Sequence, residues 1–265
     1  MIEMVGLYLK FPELSRRVWT VWKRNGDVFM KTYKVNFIPP FIEPLLYLAA
    51  LGFGLGFYVG TVDGVPYATF IAPSLLAISM MNSSFFECTY GSYVRMYYQK
   101  TFDAIIATPL SLEEVIGGEL LWGATKSLIN TSIMLVVVIA FGLAAVGTSI
   151  FIVPLAFLAG LLFSAVAMCF TAIVPNIDSF NYPTFLLITP MFLFSGTFFP
   201  ISGLPVAVQQ VSFIFLPLVH VVNISRALTF GRLSVSLLLD LGWIAIVCVV
   251  LFTLSVKLMK KRLIV

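Results

Sequence analysis

Few residues in this sequence are equipped for chemistry, and those few sit inside or beside long apolar runs. Glu43 is flanked by Pro39, Pro40 and Pro44, Glu87 stands two helical turns before Arg95, Asp240 lies in the last apolar run, and His220 is the single histidine. A carboxylate at membrane depth is costly, so Glu43 and Glu87 are candidates for lining or gating a path through the bilayer. The structural alternative is that kinks at the prolines free backbone donors for Glu43, and that Glu87 pairs with Arg95 at the inner interface. His220 is expected to pack or hydrogen-bond near the outer interface.

Tyr90, Tyr93 and Tyr97 recur on one helical face, with Tyr98 beside them. An aromatic belt at headgroup level explains them. The sharper alternative is a stacking surface for the sugar face of a glycolipid headgroup, which places the three rings on the path with Glu43 and Glu87.

Other chemistries find no residues. No lysine follows a glycine, so the phosphate-cradling G-x-x-x-x-G-K-[ST] loop is absent and ATP use requires another chain. Gly52-Phe53-Gly54-Leu55-Gly56 lies in an apolar run with no preceding strand. Gly52, Gly56 and Gly60 instead recur every four residues, the spacing that lets membrane helices approach closely. Cys88, Cys169 and Cys248 are far apart in apolar surroundings, so neither a disulfide framework nor a metal site is expected, and no cofactor.

The elements that must position these residues follow from composition. Hydrophobic residues make up 60% of the 265 and charged residues 11%, against roughly half and a quarter in soluble domains; mean hydropathy is +1.03. The solvent for most of this chain is lipid. A helix needs about 20 mainly apolar residues to cross it, and six segments qualify: 37–59, 67–86, 127–146, 150–174, 180–199 and 235–258. The fold class is therefore an all-α integral membrane protein with six transmembrane helices. Segment 206–222 is apolar too, but Pro205 and Pro217 interrupt it after the Pro200–Gly203 turn, so it reads as a re-entrant or interfacial piece.

Basic residues set the orientation. Lys10, Arg16, Arg17, Lys23, Arg24, Lys31 and Lys34 precede the first span, Arg95 and Lys100 follow the second, and Lys257, Lys260, Lys261 and Arg262 end the chain. Both termini and the loop after span two are thus expected in the cytoplasm. Lys126, Arg226 and Arg232 are the exceptions. With the positive residues at membrane edges, the net charge of +4 does not point to nucleic acid. Glu3, Glu13 and the early basic residues predict no cleaved signal peptide. Two regions result: a cytoplasmic segment 1–34 and a six-span membrane domain 35–265. Within the first, Leu14, Val18 and Trp22 repeat at four-residue spacing among basic residues. This predicts an amphipathic helix along the inner membrane surface, ended by a turn at Asn25-Gly26-Asp27.

The most informative polar segment follows span two. Phe102, Ile105 and Ile106 form a short apolar stripe in Thr101-Phe102-Asp103-Ala104-Ile105-Ile106, and Pro109 terminates it. Ser111 with Glu114 makes a capping box for a helix leading into span three. A short helix exposing an apolar face to the cytoplasm seeks a protein partner or the membrane surface, with Phe102, Ile105 and Ile106 as anchors and Asp103 available for a basic residue.

The stretches Glu43-Pro44-Leu45-Leu46-Tyr47, Gly52-Phe53-Gly54-Leu55-Gly56, Phe86-Glu87-Cys88-Thr89-Tyr90-Gly91, Ala107-Thr108-Pro109-Leu110-Ser111-Leu112-Glu113-Glu114, Gly118-Glu119 and Ser195-Gly196-Thr197-Phe198-Phe199-Pro200 resemble the permease subunits of type 2 ABC exporters. Within that family they are most similar to the nodulation-factor (lipo-oligosaccharide) exporter permeases and their bacterial relatives. They cover all but the last span. The resemblance implies a homodimeric permease of the bacterial inner membrane that binds separate ABC ATPase subunits. It makes the Phe102 helix the coupling element, and it places a re-entrant hairpin on the outer side after Pro200. It also implies an amphipathic substrate such as a lipid-linked oligosaccharide, glycolipid, lipid or drug, in contact with membrane lipid. The competing classes are an ion-coupled secondary carrier using Glu43 and Glu87, and a non-transporting membrane scaffold. No internal repeat supports the first.

Overall fold

The computed structural model describes residues 14–263, so Glu3, Lys10 and Glu13 lie outside it. The chain is helical almost throughout. Helix α1 (Val18–Lys31) is followed by α2 (Tyr33–Tyr47), which continues through a wide π-helical stretch, Leu48–Leu55, into a last turn, Gly56–Val59. A two-stranded hairpin, β1 (Thr61–Val62) and β2 (Val65–Pro66), reverses the chain. Helix α3 (Tyr67–Phe86) then runs on through π-helical Glu87–Gly91 and Val94–Tyr98. The short α4 (Thr101–Ile106) leads into α5 (Leu112–Ala140) and α6 (Ile152–Ile173). A run ending in α7 (Thr189–Phe194), the bent pair α8 (Val206–Phe215) and α9 (Pro217–Phe230), and α10 (Ser236–Leu263) complete the fold.

Among the described residues, five helices are long and apolar enough to span a bilayer: Ile38–Val59, Tyr67–Tyr98, Leu112–Ala140, Val146–Ile173 and Ser236–Leu263. A sixth arises if α8 and α9, bent by 93°, count as one. The predicted span at 180–199 is shorter than expected. A 3₁₀ turn, Ile177–Phe180, runs without a break into Asn181–Pro183, Thr184–Ile188 and α7; the part from Asn181 on is about 21 Å long at 1.5 Å per residue, less than the ~30 Å of hydrocarbon. It stops because Gly196 takes a φ of +70°. The segment predicted as re-entrant is the bent pair, and Pro217 sits in the first turn of α9, where its missing N–H costs nothing.

Helix α6 is the centre of the bundle and packs on α3, α5 and α10. Small residues permit the approach: a Cβ on Gly160 would lie 2.7 Å from the Ser127 Cβ and 2.8 Å from the Ala124 Cα. By contrast, α2 and α10 turn much of their apolar surface outward, including Ile42, Leu46 and Phe53 on the first and Leu239, Ile246 and Val250 on the second. Gly52 and Gly56 do meet the start of α3, with Cβ positions 3.3 Å from Ala68 and 3.5 Å from Tyr67. Gly60 does not belong with them. Its φ is +74° with nothing within 4 Å of a Cβ, so it turns the chain into the hairpin and takes no part in packing.

The first helix also departs from expectation. Asn25-Gly26-Asp27 does not turn the chain but lies inside α1. Tertiary contacts override the local turn propensity, because Asn25 is buried against Glu119 and Gly26 abuts Trp122. The buried stripe is Val18, Val21, Asn25 and Phe29, and it packs on α5. Gly118 makes this possible, since a Cβ there would fall 2.5 Å from the Val21 Cβ.

Candidate functional site

The π-helical end of α3 carries Glu87, Ser92 and Arg95, and α5 passes beside it with Glu119, Trp122 and Lys126. Arg95 bridges both carboxylates: Nη1 lies 2.8 Å from Glu87 Oε1, while Nε and Nη2 donate to Glu119 Oε2 at 2.9 and 2.6 Å. Lys126 Nζ lies 2.7 Å from Glu87 Oε2, and Trp122 Nε1 donates to Glu87 Oε1 at 3.1 Å. Ser92 donates to Glu119 Oε2 at 2.6 Å, and Asn25 Nδ2 of α1 to Glu119 Oε1 at 2.8 Å. Glu119 is 1% exposed and Glu87 9%. Two anions and two cations thus form a neutral buried network in which every carboxylate oxygen has a donor, the condition under which buried charge is tolerated.

The network reaches beyond the bundle. Arg24 of α1 donates from Nη1 to Asn25 Oδ1 at 3.1 Å and from Nη2 to Thr101 Oγ1 of α4 at 3.3 Å. Burial pulls the Arg24 guanidinium below its ordinary range and Glu119 opposes this, yet a guanidinium stays charged at physiological pH. At the start of α5, Ser111 Oγ accepts from the Glu114 N–H at 3.3 Å and Glu114 Oε2 from the Ser111 N–H at 2.8 Å, the expected capping box. Ser15 donates to the other Glu114 oxygen, Arg17 to the Pro109 carbonyl, and Lys260 of α10 pairs with Glu113. Trp22 Nε1 donates to Thr125 Oγ1 at 2.9 Å. One end of the molecule is thereby tied together through α1, α3, α4, α5 and α10.

Helix α4 is mounted on this end by Phe102, which is fully buried in the chain's own core. Phe102 is thus unavailable as an anchor for a partner. Ile105 is half-buried, whereas Asp103, Ala104, Ile106, Thr108 and Pro109 face outward with Ala107. The residues read from sequence as one stripe divide into an inward anchor and an outward face.

The tyrosines divide in the same way. Tyr93 is 1% exposed, donates from its hydroxyl to the Pro175 carbonyl at 2.9 Å, and packs edge-on against Phe180. Tyr90 leans on Phe180 as well, and Tyr97, stacked on Tyr93 at 5.6 Å, is the exposed ring of the three. Glu43 is not joined to Glu87. It lies at the surface of α2 beside a small cleft lined by Pro40, Tyr47, Ser79, Ser83 and Asn130. Asn130 donates to Ser83 at 2.8 Å. Ser83 stands one turn from Glu87 and Asn130 one turn from Lys126, so the cleft prolongs the polar line along α3 and α5.

Sequence reasoning assigned no role to Glu119. The available signal was a carboxylate two turns into the apolar run that Ser111 caps. His220 packs and hydrogen-bonds as expected, with partners the sequence did not name: Nδ1 lies 2.6 Å from Asp240 Oδ1, Nε2 lies 2.9 Å from the Phe213 carbonyl, and the ring stacks on Trp243 at 4.2 Å. These contacts brace the bend between α8 and α9 against α10.

A profile of the ABC-2 type transporter family matches residues 16–230. The chain is similar to Nodulation protein J of Sinorhizobium fredii (strain NBRC 101917 / NGR234), at 36% identity over 243 residues covering 92% of each chain. It is similar to Nodulation protein J of Rhizobium meliloti (strain 1021), at 37% identity with the same coverage. The inner membrane transport permease YadH of Escherichia coli (strain K12) is 22% identical over 91% of this chain and 94% of its own.

Proposed function

The chain belongs to the ABC-2 type transporter family, and on that premise we propose that it exports an amphipathic substrate of the lipid, glycolipid or lipid-linked oligosaccharide class, driven by a separate ABC ATPase that docks on α4. The permease itself performs no hydrolysis. It sits in the bacterial inner membrane with both termini and α4 on the cytoplasmic side.

The observation that carries this reading is the mounting of α4. A partner that closes on ATP must push on something rigid, and α4 is fixed from behind by Phe102 and by the Arg24–Thr101 hydrogen bond to a buried ionic network. Its outward face offers Ile106 and Ala104 as an apolar patch and Asp103 as a charge for register. The neutral network then carries displacement into α3 and α5 together. An ion-coupled carrier working through Glu87 needs that carboxylate free to exchange its ion, and Glu87 is held by both Arg95 and Lys126.

The outward apolar surface of α2 and α10 supports a homodimer with the path between copies. Tyr97 and Glu43 remain candidates to line that path, whereas Tyr90, Tyr93 and Glu87 act through the elements they hold.

The test is Ile106→Ala with Asp103→Ala in the chain co-expressed with its ATPase. The expected result is a normally inserted permease that no longer co-purifies with the ATPase or no longer couples hydrolysis to transport. Unchanged assembly and unchanged transport would place the docking surface elsewhere. Cysteines at Asp63 and Gly147 should label from outside intact cells and one at Lys260 should not; the reverse pattern would invert the topology.

A further inference from the structure

The opposite end of the molecule holds an arginine that the network does not explain. Arg226 of α9 lies with its guanidinium carbon 4.1 Å from the centre of the Phe70 ring, and its Nη2 donates to Ser74 Oγ at 3.1 Å and to the Gly196 carbonyl. Its Nε is buried without an acceptor, and no carboxylate lies within ion-pair distance of it among the described residues. Beside it opens a cavity of about 240 Å³ whose walls include Val65, Phe70 and Phe230, with Arg232 and Asp63 also lining it. Gly231, at φ +65°, turns the chain so that Arg232 follows α9 to this cavity. Two cations against one anion leave the cavity with one net positive charge.

The level of this cavity in the membrane follows from the fold. Phe70 and Ser74 belong to the first two turns of α3, next to the hairpin, while Glu87 and Arg95 lie at the far end of the same span. A guanidinium here stands at the interface between headgroups and hydrocarbon, with apolar walls on its bilayer side. The cavity lies below the roughly 300–1,000 Å³ of sites that hold drug-sized ligands, enough for a headgroup and too small for a whole glycolipid. Two guanidinium groups lining one cavity match a phosphodiester or carboxylate.

We infer that this cavity binds the anionic headgroup of an amphiphile, a phosphodiester in particular, on the hairpin face of the protein. The apolar walls hold the first carbons of its tail. Asp63 opposes the anion and sets the affinity. The inference requires the chain to be embedded in a membrane but is independent of any ATPase or transported substrate, so it stands or falls apart from the export reading.

The experiment measures binding of dioctanoyl phosphatidylglycerol to the purified full chain in an uncharged detergent, by thermal shift and by native mass spectrometry. Dioctanoyl phosphatidylcholine and inorganic phosphate serve as the comparison arms. Arg232→Gln and Asp63→Asn are the variants, because both residues are exposed and neither holds the fold. Saturable binding of the anionic lipid is expected, about tenfold tighter than of the zwitterionic one. It should weaken about tenfold in Arg232→Gln and tighten about threefold in Asp63→Asn. Equal binding of the two lipids, or dissociation constants within twofold of wild type in both variants, would overturn the inference. Inorganic phosphate that binds as tightly as phosphatidylglycerol and competes with it would assign the cavity to a free anion and overturn the amphiphile.

Discussion

The two ends of this molecule handle charge in opposite ways. At the end carrying α1 and α4, Glu87, Arg95, Glu119 and Lys126 neutralise one another inside the chain, and Asn25, Ser92 and Trp122 saturate the carboxylates. At the hairpin end, Arg226 rests on an aromatic ring beside a cavity, without an ion-pair partner among the described residues, and α8 and α9 meet at 93°. Buried charge is weak evidence of stability, because an apolar core of equal volume does as well; removing one partner is what costs. The paired end therefore gains definition of geometry from its charges. The open end retains the capacity to accept something.

The largest effect expected from this contrast is at Glu119. Glu119→Gln keeps the shape and removes one anion, leaving Arg95 in the bundle with one carboxylate instead of two. The loss should be about 3–5 kcal/mol, read as a large fall in unfolding temperature in uncharged detergent. Asp63→Asn at the hairpin tip should stay within about 0.5 kcal/mol. Similar losses at both sites would erase the distinction between the ends.

Next comes Phe102→Ala, expected to cost about 3 kcal/mol by leaving a cavity and to make segment 100–109 sensitive to protease. Ile106→Ala should leave stability and protease resistance unchanged. If Phe102→Ala is silent in both assays, α4 is not anchored from within. Gly118→Ala pushes a methyl into Val21, so α1 must shift from α5 at a cost of about 2 kcal/mol; hydrogen exchange along α1 should quicken. The smallest effect is Asp240→Asn, which weakens the bond to His220 by about 1 kcal/mol. Exchange should rise around Leu216 while the network end is untouched, and a rise at both ends would show that they are mechanically joined.

Much of this architecture was legible in the residues because lipid makes a local demand. An apolar run of the right length has to be a helix, so the runs at 67–86 and 235–258 announce themselves, and Ser111 with Glu114 marks a helix start within four residues. What could not be read was which side of a helix meets another part of the same chain. Phe102 and Ile106 are equally apolar, and only the core beneath α4 makes one an anchor and the other a surface. Tyr93 reads like Tyr97 until Pro175 and Phe180 arrive from a distant segment. Glu119 and Asn25 are far apart in sequence, and their bond cancels a turn that Asn25-Gly26-Asp27 favours locally. The shortened helix at 181–194 escaped for a related reason: hydropathy does not register that Gly196 leaves the helix with its carbonyl held by Arg226.

The π-helical turns of α3 make this span a counting device. A turn closed by i→i+5 bonds holds one residue more than an α-helical turn, so a gene that lost one codon between Glu87 and Tyr98 would still encode an unbroken helix of nearly the same hydropathy. That loss is absorbed where the wide turn closes to an α-helical one, whereas a codon lost from the α-helical part, Tyr67–Phe86, would swing every later residue by about 100° around the axis, carrying Arg95 off Glu119, Tyr93 off Pro175 and α4 away from its seat. Substitutions in this stretch are read one side chain at a time. A change of length before Glu87 is read at once by the whole end that carries α1 and α4.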